Sequence, residues 1–229
     1  VPVALSLRAK DAADVILAGP GSLSLASLRG LLNGQAGKNL GYDLGPDPKA
    51  PQYAFYATDV TASYSGAARI VRRFVVVLPG MALLSFDFVT APGRVSEVRW
   101  SVEGADPRVT QKAIVFAGTD SGGDDRLFLN LLLAAPAEVE RVVSLDLAGA
   151  RIGRNVVLFH RSTGMATSSV FFDLENKDKL SFLVAGLQPG YWEVWWNGYL
   201  EETGGLVKPQ AGTLWFPGEA GSYFLRLRG

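Results

Sequence analysis

The densest chemistry in this sequence is aromatic. Tyr191 to Tyr199 reads Y-W-E-V-W-W-N-G-Y and holds three of the five tryptophans. Asn197-Gly198 between two apolar runs is a strong hairpin signal, because both residues accept positive φ. Alternation along a strand then puts Trp192, Val194 and Trp196 on one face and Tyr191, Glu193 and Trp195 on the other. With Val194 in the core, Tyr191 and Trp195 stand exposed with Glu193 between them. That arrangement suits a sugar, whose C–H groups stack on a flat ring while its hydroxyls bond the carboxylate. Tyr191, Glu193 and Trp195 are therefore the candidate carbohydrate-binding residues. The competing reading has all these aromatics filling a sandwich core or a seam between domains.

Acid–base and metal chemistry have fewer resources. The single histidine, His160, lies in V-V-L-F-H-R-S and reads as a half-buried strand residue. Asp59, Asp87 and Asp173 sit beside aromatics or threonine, where turn capping and bonding between strands account for them. Residues 118–125, G-T-D-S-G-G-D-D, offer oxygen ligands that suit a hard cation, but lack the twelve-residue spacing with a terminal Glu. With no cysteine, disulfides and thiolate metal sites are excluded. No catalytic residue, metal ligand or cofactor is assigned. Lys plus Arg balance Asp plus Glu at 22 each, so nothing in the net charge favours nucleic acid or an anionic membrane. Arg69, Arg72 and Arg73 are the local exception. No apolar run reaches the roughly 18 residues of a membrane-spanning helix. The opening V-P-V-A-L-S-L-R is not an intact signal peptide, and the lack of an initiator Met suggests a chain that starts mid-protein.

The elements that must position these residues read as strands. Ala68 to Val89 carries two runs of β-branched and aromatic residues around Pro79-Gly80, an antiparallel hairpin. Both of its faces turn apolar after Arg73, which places it centrally in a layered β structure. Val1–Leu7, Asp14–Leu17, Tyr53–Ala57, Val95–Val102, Thr110–Phe116, Arg126–Leu133 and Glu138–Leu147 are further strand candidates. Ser22–Leu32 reads as a short helical turn at best, Gly34–Lys49 as a loop, and Asp59–Ser65 as a turn or strand end. After Ala148 the rhythm quickens. Asn155–Arg161, Ser169–Leu174, Lys179–Val184, Tyr191–Trp196, Tyr199–Glu202, Gly212–Phe216 and Tyr223–Arg228 are strands. The turns between them include Asn176-Lys177-Asp178 and Pro217-Gly218. So many short strands suggest a small β-sandwich. The expected fold is all-β: an antiparallel β-sandwich, with a larger portion over 1–147 and a small C-terminal sandwich over 148–229.

Tyr53 to Tyr64, Y-A-F-Y-A-T-D-V-T-A-S-Y, followed by R-R-F-V-V-V-L-P and F-D-F-V, resembles the β-sandwich region of heparinase II/III-like polysaccharide lyases. The resemblance covers about Tyr53 to Trp100, and Asp59–Tyr64 is its most specific piece. It implies an upstream helical catalytic domain in the same native protein, and a secreted or periplasmic setting. It further implies an acidic polysaccharide or oligosaccharide as partner. The family's Tyr, His and Asn chemistry and its metal-type His do not carry over: the strand near Trp100 reads R-W-S-V-E-G. The expectation is a non-catalytic sandwich portion of such a lyase. The alternative is a free-standing carbohydrate-binding or adhesion module, and a complete enzyme acting alone is the least favoured reading.

Overall fold

The computed structural model describes residues 3–8, 37–64, 68–90, 98–103, 110–117 and 125–229. Among them, the contacts divide the chain into Val1–Pro136 and Ala137–Gly229. Nearly everything described is strand, as the β-branched and aromatic runs dictate. The strand candidate Asp14–Leu17, the helical turn expected over Ser22–Leu32, and the Asp-rich stretch 118–124 lie outside the described residues.

The first unit is built on the hairpin of β4 (Ile70–Leu78) and β5 (Ala82–Thr90). Gly80 turns it at φ +69°. β4 and β5 sit inside a six-stranded antiparallel sheet ordered β2-β3-β4-β5-β8-β7. Its other strands are β2 (Lys38–Gly45), β3 (Tyr53–Asp59), β7 (Thr110–Ala117) and β8 (Asp125–Leu133). Val75, Val76, Val77, Leu83 and Leu84 are all buried, so the hairpin is covered on both faces, as its pattern predicts. β1 (Val3–Arg8) and β6 (Val98–Glu103) form a separate parallel pair. The expected loop over Gly34–Lys49 is instead largely strand β2. Its glycines and polar residues are tolerated because it is an edge strand, bonded only to β3 and irregular between Asn39 and Gly41. The Asp59–Tyr64 motif is a structural knot. The Thr61 amide donates to Asp59 Oδ1 at 3.0 Å, and Thr61 Oγ1 accepts from the Val71 amide at 2.9 Å. A 3-10 turn over Thr61–Tyr64 follows.

The second unit is one seven-stranded sheet ordered β14-β13-β15-β12-β11-β10-β9. The strands are β9 (Val139–Val143), β10 (Leu147–Ile152), β11 (Asn155–His160), β12 (Ser169–Ala185), β13 (Gly190–Trp196), β14 (Tyr199–Val207) and β15 (Thr213–Leu227). β11 and β12 run parallel, and every other neighbour is antiparallel. Two corrections follow. Glu138–Leu147 is not one strand: it breaks after Val143, and β10 begins at Leu147. The sequence hid β10 because L-A-G-A-R-I is built of small, weakly strand-forming residues. Gly149 is required there, since a Cβ would run into the Val157 carbonyl of β11.

The second correction concerns turns. Ser169–Leu174 and Lys179–Val184 are two arms of the single strand β12. Gly212–Phe216 and Tyr223–Arg228 are likewise the two arms of β15. β12 and β15 pair along both arms, with a register shift between Leu174 and Lys179. Phe172 and Phe182 stand ten positions apart, which spans roughly 33 Å in a straight strand. Their ring centroids are 5.7 Å apart. The β12–β15 ribbon therefore folds sharply at the expected turn residues, and the sheet doubles into two layers. One core lies between them, with Val156, Leu158, Phe182 and Phe216 from one layer and Phe172, Trp192, Val194 and Leu225 from the other. Phe172 stacks on Tyr223 and Phe182 on Phe216, both at 5.0 Å. The Asn176–Asp178 stretch and the Glu219–Gly221 stretch opposite it mark the corner between layers rather than hairpin loops. The protein is all-β, and this unit is a mostly antiparallel sandwich made from one folded sheet.

Candidate functional site

The Asn197-Gly198 hairpin forms as its sequence dictates, with φ of 47° and 85° at the two residues. It joins β13 to β14, which continues to Val207, well past the expected end at Glu202. Its alternation sets the site. Trp192 and Val194 point inward and are fully buried, and Trp196 packs partly buried against the same core. Tyr191, Glu193 and Trp195 share the outer face. Tyr191 is 43% exposed, while Glu193 and Trp195 are half-buried.

Tertiary pairing adds residues that sequence reasoning missed. Register places Leu200 of β14, Trp195 of β13, Phe224 of β15 and Phe171 of β12 side by side across four strands. Leu200 is 54%, Phe224 37% and Phe171 45% exposed. The row is an apolar band running across the strands, one side chain per strand, at about 4.8 Å per step. Exposed apolar patches of this kind mark interaction sites. Alternation in Y-F-L-R-L-R already pointed Phe224 and Arg226 the same way. It could not say that they would stand beside Trp195 and Glu193.

One row along, Glu193 lies opposite Arg226. Arg226 donates to Glu193 Oε2 from Nη2 at 2.7 Å and from Nε at 3.1 Å. Trp195 Nε1 donates to the same oxygen at 3.4 Å. The guanidinium carbon lies 5.6 Å from the centre of the Trp195 ring, within cation–π range. Hydrogen bonding from Arg226 is the main reason the Glu193 carboxyl sits below its usual pKa. Desolvation opposes it, and the lesser Trp195 bond and charges of Arg226 and Arg228 act with the Arg226 bond. Glu193 is thus ionised and orients both its partners. On the band's other side, Ser222 Oγ donates to Asp173 Oδ1 at 2.5 Å.

A cleft of about 240 Å³ is lined by Trp196, Glu201, Pro217, Gly218, Glu219 and Tyr223. The Tyr223 phenol is pushed up to about 12, first by burial and then by the charges of Glu201 and Glu219, despite a backbone bond to Glu219 that lowers it. Its hydroxyl donates to the Glu219 carbonyl at 2.5 Å and accepts from the Glu219 amide at 3.1 Å. A phenol so held stays protonated at neutral pH and is a structural tie.

The remaining candidates are dispersed. His160 Nδ1 lies 3.0 Å from the Gly164 carbonyl. The Arg69, Arg72 and Arg73 cluster does not exist as a patch, because neighbouring positions on a strand face opposite ways. Arg69 is exposed and Arg72 Nε lies 3.6 Å from Asp59 Oδ2. Arg73 is fully buried, donating from Nε to Asp87 Oδ1 at 2.6 Å. Ser85 Oγ donates to the other Asp87 oxygen at 3.1 Å. Among the described residues, no group of three His, Cys, Asp or Glu side chains could hold a metal ion.

The folded sheet and its outer face lie within a stretch of known kind. Residues 141–227 match the family model of the heparinase II C-terminal domain. The match begins in β9, takes in Tyr191, Glu193, Trp195 and Arg226, and ends with β15. It agrees in family with the resemblance read over Tyr53–Trp100 but falls on a different part of the chain. A heparinase II C-terminal domain points to a non-catalytic part of a polysaccharide lyase. No curated protein matches the chain. Among the described residues, no helix is long and apolar enough to cross a membrane.

Proposed function

We propose that this chain is a non-catalytic β-sandwich portion of a heparinase II/III-like polysaccharide lyase. It supports a catalytic domain of the same native protein and contacts the polysaccharide through the outer face of β14-β13-β15-β12. The parent enzyme acts outside the cytoplasm, in the secreted or periplasmic setting typical of this family. The observation that carries the reading is the aromatic platform of Tyr191 and Trp195, with the Glu193 carboxylate between them, inside the segment that matches the heparinase II C-terminal domain. A second reading, a carbohydrate-binding or adhesion module working by itself, is favoured by one fact. The whole platform lies within one compact unit.

Calorimetric titration of the chain with polysaccharide fragments tests the contact. Trp195→Ala removes the stacking ring without opening the core, because Trp192 fills the interior. Binding should fall roughly tenfold, in line with the worth of a well-formed aromatic stack, with an unchanged circular dichroism spectrum. Equal binding by the folded variant would remove the outer face from the function.

A further inference from the structure

Across the strands the outer face is built in rows. Tyr191 stands beside Arg228, Glu193 beside Arg226 in the next row, and Trp195 beside Phe224 in the third. Arg226 thus lies between two aromatic rows, and its side chain is 52% exposed. A guanidinium has five N–H groups. Arg226 uses two of them, from Nε and Nη2, on the single oxygen Glu193 Oε2. The edge of the fork that holds Glu193 is therefore the Nε edge. The other edge, from Nη1 to Nη2, bonds nothing among the described residues. It carries two parallel N–H groups, the geometry that grips a carboxylate or a sulfate at two points. The guanidinium carbon lies 5.6 Å from the centre of the Trp195 ring, so this open edge adjoins the stacking surface. Arg228 is exposed and makes no ion pair among the described residues.

We propose that Arg226 is the residue of this face that recognises an anionic substituent on the bound sugar, a carboxylate or a sulfate ester. The inference rests on the polysaccharide-contact reading and deepens it. A pyranose ring lies against Trp195 through its C–H groups. A charged group carried on that sugar then meets the open Nη1–Nη2 edge of Arg226. Glu193 does not compete for this edge, because it is bonded to the opposite one. Its bonds hold the guanidinium in place before the sugar arrives, so less side-chain freedom is lost on binding. Arg228, one row further along, supplies a second positive charge that draws an anionic chain in the same direction. A chain running from Trp195 toward Tyr191 passes over Arg226 and leads away from Asp173, which lies two rows beyond Arg226 on the far side of Phe224.

The test titrates the intact chain with two pairs of probes. Hexagalacturonate is compared with its fully methyl-esterified form, and a kappa-carrageenan hexamer with its desulfated form. Each pair keeps the sugar rings and differs in charge, carboxylate in the first and sulfate in the second. In the wild type one or both charged probes should bind about tenfold more tightly than the neutral partner, the effect of one charge-assisted contact. That margin should shrink with added salt. Arg226→Gln should abolish it by weakening the charged probe alone, and the anion that loses its margin is the one recognised here. The single variant also leaves Glu193 without its partner, so the double variant Glu193→Gln with Arg226→Gln is the control. It removes both charges and should show no margin either, with an unchanged circular dichroism spectrum. A margin that survives in the double variant, or neutral and charged probes binding equally to the wild type, would overturn the role of Arg226 and leave the contact surface standing. If no probe binds at all, the polysaccharide-contact reading fails and takes this inference with it.

Discussion

At the scale of single residues, charge is used inside this protein as well as on it. Arg73 and Asp87 face each other across β4 and β5 with no exposed side-chain surface. Breaking such a pair leaves one charge buried alone, which costs roughly 3–5 kcal/mol, whereas replacing both partners by apolar side chains of similar volume is often neutral. Asp87→Asn should lower the unfolding free energy by about that much, read as a fall in the urea midpoint. The double change Arg73→Met with Asp87→Leu should restore most of it. A small loss in Asp87→Asn would mean the pair is already compensated elsewhere. The Glu193–Arg226 pair is the opposite case. It is partly exposed, and its contribution to stability is small.

At the scale of elements, two glycines make opposite demands. Gly198 closes the β13–β14 hairpin at φ +85°, and a Cβ there would meet nothing within 4 Å. Gly198→Ala should therefore cost only the backbone strain of a left-handed residue, about 1–2 kcal/mol. The hairpin and the outer-face aromatics would stay in place. Gly149 has no unusual φ, but its Cβ would collide with the Val157 backbone one strand away. Gly149→Ala should part β10 from β11 and leave little soluble folded protein. Thermal denaturation separates the two outcomes, and equal melting temperatures for both variants would contradict this reading of the β10–β11 approach. The elements also explain why turn signals misled. Asn, Asp, Pro and Gly loosen a strand wherever they fall. Whether the chain then reverses as a hairpin or bends over a core depends on which strand lies beside it, and β12 and β15 bend together as a ribbon.

At the scale of the whole molecule, the unit from Ala137 to Gly229 encloses its own core, from Val142 and Leu147 to Tyr223 and Leu225. Expressed alone, it should unfold in one cooperative transition, followed by the fluorescence of its tryptophans, the buried Trp192 among them. A gradual, non-cooperative loss of signal would show that this core is insufficient alone. Much of the architecture was legible in the residues. Alternation gave the all-β class, the central β4–β5 hairpin, the Asn197-Gly198 turn, and the inward and outward faces of β13. These are local properties, set by a two-residue period and by backbone preferences at glycine, asparagine and proline. Edge strand β2 and small-residue strand β10 escaped notice, because each is a strand only by virtue of the neighbour that pairs with it. The site divides along the same line. Tyr191, Glu193 and Trp195 share a face because of their spacing along one strand. Arg226, Phe224 and Phe171 join them through register between strands far apart in sequence, and register is fixed by the packing of the whole folded sheet. Only that packing could seat an arginine against Glu193.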